Sequence, residues 1–269
     1  MKKILLLYVM FLLPVLSQAA NKVNGIYYNF NSSSYTAEVT NSGGGGSTYT
    51  NSYTSSTITI PATVTFNGRT YDVTSIGQYA FDECPNLRTV NIPSSVTSIG
   101  KYAFDRCTGM TSINIPNSVT SIGEWAFNAC GSLTSINIPN SITTIESHAF
   151  SNCCNIPSVT IPEGVTIIYD HAFSGWTALT SLTIPNGVTT IDQYAFDLCV
   201  NLTSIDIPNS VTNIYFYAFS NCLKLTSVTI PTGVKTIMNY TFYGCSSLSS
   251  VSIPSSVTSI GYSAFSNCI

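Results

Sequence analysis

A pattern of 23 residues recurs along most of this chain and constrains its fold more than any other feature. The pair Ile-Pro returns at every twenty-third position from Ile92 to Ile253, and a phenylalanine follows the same step from Phe81 to Phe265. Repeats of this length are typical of solenoids, in which each unit buries its apolar side against the next. The sequence therefore predicts a solenoid over residues 73–269, with nine copies of which the last is incomplete.

Each copy reads Val-x-x-Ile-x-x-x-Ala-Phe-x-x-Cys-x-x-Leu-x-x-Ile-x-Ile-Pro-x-x. The segment from Leu133 to Ile138 has the residues of a short strand, and Pro139 ends it because proline lacks a backbone donor. The return leg through Ala149 and Phe150 is expected to be irregular, or to form a half-turn of α- or 3₁₀-helix. Short strands of successive copies are predicted to pair in parallel along the stack.

The regions at the two ends differ from the repeats. Residues 1–20 combine a basic start, an apolar run and a small-residue cleavage site, which is typical of a secretory signal peptide. Since the apolar run is short, no membrane span is expected after cleavage. Residues 21–72 contain alternating segments and an Asn67-Gly68 turn, and are predicted to form a β cap over the open end of the solenoid. The ninth copy stops before its strand, which we interpret as truncation rather than as a surface covered by a partner.

The composition excludes several classes of function. Charged residues make up 8% of the chain, and removal of the signal peptide lowers the formal net charge from −3 to −5. So few Lys and Arg residues leave no basic surface for nucleic acid or for an anionic membrane. The sequence also contains no nucleophile-elbow motif and no acid pair within a catalytic motif. We therefore predict neither an enzyme nor a cofactor.

Cysteines form a ladder, since eight of the nine stand three residues after the repeated phenylalanine. These residues are Cys84, Cys107, Cys130, Cys153, Cys199, Cys222, Cys245 and Cys268. Many cysteines in an exported protein ordinarily indicate disulfides, but one per copy favours small apolar side chains that face the interior. Trp176 replaces the cysteine in one copy, which indicates that this position is not fully enclosed. Cys154 lies outside the register and is a candidate reactive thiol, with an inert surface thiol as the simpler interpretation.

Two rows of side chains are candidates for ligand binding. The first row flanks the inward residue of each strand and forms an almost uncharged surface of hydroxyls and amides. Its candidates are Asn91, Asn114, Asn137 and Asp206. The second row precedes the alanine of each copy and is aromatic, which suits stacking on sugar rings or anchoring of a protein. Its candidates are Tyr79, Tyr102, Trp125, Tyr194, Tyr217 and Tyr240. The alternative interpretation is that neither row binds a ligand. The first row is then a solvated sheet face, and the second row packs along a convex ridge.

His148 and His171 occupy the second row in successive copies, with Glu146 and Asp170 close by in sequence. Two imidazoles and a carboxylate are able to hold a metal ion. No close-spaced ligand motif accompanies them, which favours a chance surface substitution. No metal site is predicted.

The residues Ile-Pro-Ser-Ser-Val-Thr-Ser-Ile-Gly-x-Tyr-Ala-Phe-x-x-Cys closely resemble the BspA-like, treponemal-type leucine-rich repeats of bacterial surface proteins. The resemblance covers residues 73–269 and implies a leucine-rich-repeat solenoid that is secreted or at the cell surface. Some members of this family are adhesins. We therefore expect binding of an extracellular protein or glycan, with adhesion or host interaction as the first hypothesis. The alternatives are a glycan-binding module of a surface nutrient-uptake system and a structural surface-coat element.

Overall fold

The computed structural model describes residues 20–46 and 52–269, which form a solenoid of stacked coils built from short strands and turns. The predicted solenoid with parallel strands is thereby confirmed. The predicted signal peptide lies, except for residue 20, outside the described residues. The described residues include no apolar helical segment that could span a membrane.

The described residues contain twenty strands. The N-terminal cap includes β1 (Asn21–Val23), β2 (Ile26–Asn31), β3 (Thr36–Thr40), β4 (Thr57–Thr59), β5 (Thr63–Phe66) and β6 (Arg69–Ile76). The coils contribute β7 (Thr89–Asn91), β8 (Ser98–Ile99), β9 (Ser112–Asn114), β10 (Ser121–Ile122), β11 (Thr144–Ile145), β12 (Ile167–Ile168), β13 (Ser181–Thr183), β14 (Thr190–Ile191), β15 (Ser204–Asp206), β16 (Asn213–Ile214), β17 (Ser227–Thr229), β18 (Thr236–Ile237), β19 (Ser250–Ser252) and β20 (Ser259–Ile260).

One side of the solenoid, which we call the strand face, consists of β4, β7, β9, β13, β15, β17 and β19. Within the coils its strands pair in parallel, and each residue lies opposite the one 23 positions later in the next coil, as Val90 does with Ile113. These middle residues point inward and are buried, except the half-buried Val251 of β19, while the residues flanking them are outward. The alternation follows from the two-residue period of a strand. β4 of the cap starts the row by pairing with β7.

The two-residue strands form a second parallel row that the sequence analysis did not predict, for example β8 with β10. The rest of the return leg consists of turns, and the described residues contain no α- or 3₁₀-helix. Of the predicted alternatives, the irregular return leg is therefore the one found. The reason lies in two left-handed residues per coil, such as Tyr102 (φ 57°) and Arg106 (φ 54°), because each interrupts a right-handed helix after a single turn.

Backbone hydrogen bonds also join the return legs. Alternate N–H groups donate to carbonyls of the next coil, as Phe81 does to Ala103 at 2.7 Å. Inside the coils, the repeated phenylalanines form a ladder from Phe81 to Phe265, with neighbouring ring centroids 5.0 to 5.8 Å apart. The rings from Phe81 to Phe242 are fully buried, and Phe265 is half-buried. A single coil has both its flat sides open, so these contacts supply the burial that makes the coils stable together.

The cysteine position is enclosed and hydrogen-bonded. The thiol of Cys107 donates to the carbonyl of Phe81 in the preceding coil, with 3.0 Å between sulfur and oxygen. Trp176 takes the same place, since its Nε1 donates to the carbonyl of Phe150 at 2.6 Å. The interpretation that Trp176 marks an open position is wrong, because this residue is fully buried and packs edge-on against Phe173. All nine cysteines lie in the described ranges and are free, as their one-per-copy placement indicated.

The cap and the first coil share a strand. β6 pairs with β3 and β5 of the cap and, through Ser75 and Ile76, with β8 of the next coil. It runs across residue 72, where the sequence analysis placed the end of the cap. The ring of Tyr53 lies 4.7 Å from that of Phe81, so the cap covers the first rung of the phenylalanine ladder.

Candidate functional site

The strand face carries the first row of candidate residues. Asn91 and Asn114 lie opposite each other in β7 and β9, and both are exposed. Asp206 is exposed on the same face in β15, opposite Thr183 of β13. Three of the four candidates are thus outward on strands of one surface, while the fourth, Asn137, lies in a stretch that forms no strand.

The outward side chains of the later strands make no hydrogen bond to any described residue. They are Ser112, Asn114, Ser181, Thr183, Ser204, Asp206, Ser227, Thr229, Ser250 and Ser252. Exposed hydroxyls elsewhere in the repeat are used internally, since Thr120 Oγ1 donates to the Thr97 carbonyl at 3.2 Å and Thr203 Oγ1 to the Thr180 carbonyl at 3.0 Å. From β9 onward, the strand face therefore leaves its outward side-chain donors and acceptors available for another molecule. In β7, by contrast, Thr89 and Asn91 donate to the Thr57 and Thr59 hydroxyls of β4 at 3.1 and 3.0 Å.

The strand face is interrupted in its middle, because residues 135–137 and 158–160 carry the repeat pattern but form no strand. Pro157 is one cause. Thr180, at the equivalent position of the next coil, donates its backbone N–H to the Pro157 carbonyl at 3.2 Å. Pro157 itself has no N–H and cannot donate the same hydrogen bond to the coil before it. The sequence analysis missed this break, although a proline where other copies have Thr, Ser or Arg was a readable signal.

Asn137 bridges part of this break. Its Nδ2 donates to the Ile115 carbonyl at 2.7 Å, and its Oδ1 accepts from the Ile115 N–H at 3.0 Å. The side-chain amide thus replaces a missing backbone pair, so this candidate residue is already engaged within the chain. A surface depression of about 340 Å³ opens beside it, lined in part by Ile136 and Val159.

The second row of candidates forms one continuous series of rings, which we call the aromatic stack. It consists of Tyr79, Tyr102, Trp125, His148, His171, Tyr194, Tyr217 and Tyr240. Neighbouring ring centroids lie 3.6 to 5.8 Å apart, and their planes are within 26° of parallel. The two histidines thus join the tyrosines on either side into a single row. All these residues are half-buried and have left-handed φ values of 54–60°.

Stacking determines what this row can offer to a ligand. Each ring between the two ends has both faces against its neighbours, so its edge and polar atoms are the parts that reach solvent. Sugar recognition by aromatic residues uses a free ring face. The geometry of the stack therefore favours the interpretation of packing over that of a sugar platform.

Asp170 lies against both histidines of the stack. Its Oδ2 is 3.6 Å from His148 Nε2 and 3.3 Å from His171 Nδ1, and its Oδ1 accepts a hydrogen bond from the Ser147 hydroxyl. Burial, with a contribution from the adjacent His171, lowers the pKa of His148 to about 4, so this imidazole is neutral at pH 7. Burial acts to raise the pKa of Asp170, but hydrogen bonds from Ser147 and His171 outweigh it and lower that pKa. Glu146 takes no part, because it accepts a hydrogen bond from Thr144.

A family model described as the BspA type leucine rich repeat region matches residues 48–178 and 166–269, with six copies. The chain belongs to the BspA-type leucine-rich-repeat family. This match spans most of the sequence and confirms the resemblance seen in the repeat residues. BspA-type proteins are repeat scaffolds of the bacterial surface type.

One solved structure supports this assignment, and a second is reported with it. A leucine-rich-repeat protein from Bacteroides ovatus is 29% identical, with a TM-score of 0.60 over 92% of this chain and 80% of that one. A leucine-rich cell surface protein from Faecalibacterium prausnitzii is 28% identical, with a TM-score of 0.42 over 93% and 92% of the two chains. The B. ovatus structure supports the BspA-type fold over nearly the whole chain. Comparison with curated proteins found no match.

Proposed function

We propose that this BspA-type protein is exported and binds a protein partner outside the cell through its strand face, in adhesion or host interaction. The observation that carries the proposal is the row of outward side chains on the strands from β9 to β19, which have no hydrogen-bond partner within the described chain. Solenoids present such repeated rows as extended binding surfaces. The signal-peptide pattern of residues 1–20 supports export.

The chemistry of the strand face suits an extended polar partner of low charge. Its outward positions carry hydroxyls and amides, with Asp206 as a single carboxylate. Hydroxyls and amides both donate and accept, so they match the polar groups of a peptide backbone. Because few charges are involved, the affinity should change little between about 0.05 and 0.5 M salt.

Glycan binding in nutrient uptake is the second hypothesis, and it rests on the aromatic stack. This hypothesis has less support, because the ring faces inside the stack are covered by one another. It predicts that the stack, and not the strand face, controls affinity. The structural surface-coat role predicts no saturable binding of either class of ligand.

The test is binding of the purified protein to immobilised extracellular-matrix proteins and polysaccharides. Asn114→Lys and Ser204→Lys place bulky charges on the strand face, and Asn186→Lys is the matched control at an exposed turn. We expect saturable binding to a protein, weakened about tenfold or more by the strand-face variants and unchanged by the control. Equal binding by all variants would contradict the strand-face site. A glycan ligand lost in Tyr217→Ala would support the second hypothesis instead.

Export is tested separately. N-terminal sequencing of the protein recovered from the producing cell is expected to start at Asn21, after cleavage of residues 1–20. Recovery of the chain with Met1 still attached would contradict cleavage without bearing on the strand face.

A further inference from the structure

One group of side chains among the described residues has the geometry of a metal-ion site: His148, Asp170 and His171. A ligand atom from each lies within 4.8 Å of the other two. Donors around a tetrahedral zinc ion, bound at about 2.0–2.1 Å, are about 3.3–3.4 Å apart. The distances of 3.6 and 3.3 Å from Asp170 Oδ2 to the imidazole nitrogens are therefore already close to those of a bound site.

We propose that His148, Asp170 and His171 form a binding site for one divalent transition-metal ion such as Zn²⁺ or Ni²⁺. Two imidazoles and one carboxylate are a ligand set typical of these ions, whereas Mg²⁺ and Ca²⁺ prefer oxygen ligands throughout. The three side chains are 18%, 37% and 31% exposed, in chain order, so an ion can enter from solvent and keep water as its remaining ligand.

The surrounding structure keeps the three ligands close together before an ion arrives. The two imidazole planes are stacked 10° from parallel, so the rings must tilt toward each other for both nitrogens to point at one ion. The His148 ring stacks on Trp125 at 3.6 Å between centroids, and the His171 ring stacks on Tyr194 at 4.5 Å. Asp170 is oriented by the Ser147 hydroxyl at its other oxygen. Hydrogen bonds of this kind to a ligating carboxylate are typical of the outer shell of metal sites.

The ligand set occurs once in the repeat array. Copies other than these two carry tyrosine, tryptophan or serine at the histidine position. The position of Asp170 has another acidic residue at Glu124, but the Glu124 carboxylate pairs with Lys101 of the preceding coil. A chance substitution of one copy by histidine would not bring to the same edge a second histidine and a carboxylate that, unlike Glu124, pairs with no lysine or arginine among the described residues.

Trp125 provides a direct optical test, since its ring touches His148. Titration of the purified protein with Ni²⁺ alone should quench tryptophan fluorescence in a saturable way, with one ion per chain, and Zn²⁺ should reverse the quenching by competition. His171→Tyr removes one ligand and introduces a tyrosine, the residue that the next copy has at position 194, so the aromatic stack is retained. Asp170→Asn removes the second ligand without changing the rings. We expect each variant to weaken Ni²⁺ binding at least about tenfold.

Three control variants distinguish metal binding at this site from other causes of fluorescence quenching. Tyr217→Phe alters the stack away from the ligands and should leave the affinity unchanged. Trp125→Tyr leaves Trp176 as the remaining tryptophan. This variant should lose most of the Ni²⁺-dependent quenching while calorimetry with Zn²⁺ still finds one site. Quenching that persists in both His171→Tyr and Asp170→Asn, or that depends on Cys154 as shown by Cys154→Ser, would overturn the proposal. Quenching that does not saturate by about 1 mM Ni²⁺ would overturn it as well. None of these outcomes bears on the strand-face proposal.

Discussion

Asp82 and Asp105 stand on successive rungs of a buried polar row, and this pairing predicts an unusual pH dependence. The amide of Asn128, one rung further, donates to Asp105 Oδ1 at 2.7 Å. In contrast, Asp82 Oδ1 is buried with no hydrogen-bond partner among the described residues. Burial raises the pKa of Asp82 to about 6, and the neighbouring charge of Asp105 adds to this effect. The substitution Asp82→Asn removes the charge and introduces an amide donor beside Asp105.

The expected magnitude follows from the pKa. A rise from 3.8 to about 6 is worth about 3 kcal/mol at neutral pH, at about 1.4 kcal/mol per pH unit. The folded pKa lies above the unfolded one, so the folded state binds more protons between about pH 4 and 6. The free energy of unfolding therefore falls as the pH rises through this window. Because water screens the part of Asp82 that stays exposed, we expect a cost of about 1–2 kcal/mol above pH 6.

Urea unfolding of both proteins at pH 4 and pH 7 measures this cost. Asp82→Asn should be more stable than the parent protein by about 1–2 kcal/mol at pH 7, and the difference should shrink at pH 4. Other carboxyl groups titrate alike in both proteins, so the change in the difference reports on Asp82. Asp206→Asn, an exposed substitution on the strand face, should change stability by less than about 0.5 kcal/mol. A variant that is less stable at pH 7, or a difference that is the same at both pH values, would refute this reasoning.

Three further predictions concern single positions. Trp176→Cys, which restores the residue of the other copies, should lower the free energy of unfolding by about 2–4 kcal/mol because it leaves a cavity, and unchanged urea stability would contradict this. Leu198→Gly should raise the free energy of unfolding by about 0.5–1 kcal/mol, because the Leu198 backbone is left-handed (φ 60°) and its side chain is 44% exposed. A loss of thermal stability in this variant would show instead that packing of the leucine side chain stabilises the fold. A thiol reagent should modify Cys154 and Cys268 first in the native protein, because both are partly exposed and the other thiols are buried, and equal rates at all nine thiols would rule this out.

Much of the candidate strand face could be predicted from the sequence. The 23-residue step places Asn91 and Asn114 at the same point of successive coils, and strand alternation makes them outward. The break in the strand face was also predictable in principle from Pro157, because a missing N–H acts locally. Its repair by Asn137 was not predictable, since the Ile115 backbone that binds it lies 22 residues earlier in the chain.

The orientation of the rings in the aromatic stack could not be predicted from the sequence. The step placed these residues in one row but left open whether each ring presents a face or an edge. The structure decides this through the left-handed φ values, 57° at Tyr102 for example, which neither tyrosine nor histidine prefers. Hydrogen bonds between return legs impose that conformation, and they exist only when the coils are stacked.

The sequence by itself determined the period, the inward and outward positions and the low charge of the surface, because all three depend on which residues recur and at what spacing. The tertiary structure alone decided which polar groups are already used. Cys107, Trp176 and Asn137 bond to backbone groups of the preceding coil, whereas the outward side chains of the strands from β9 to β19 form no hydrogen bond within the described chain. The His148, Asp170 and His171 cluster has the same origin, since neighbours 22 or 23 residues apart meet only through the stacking of coils.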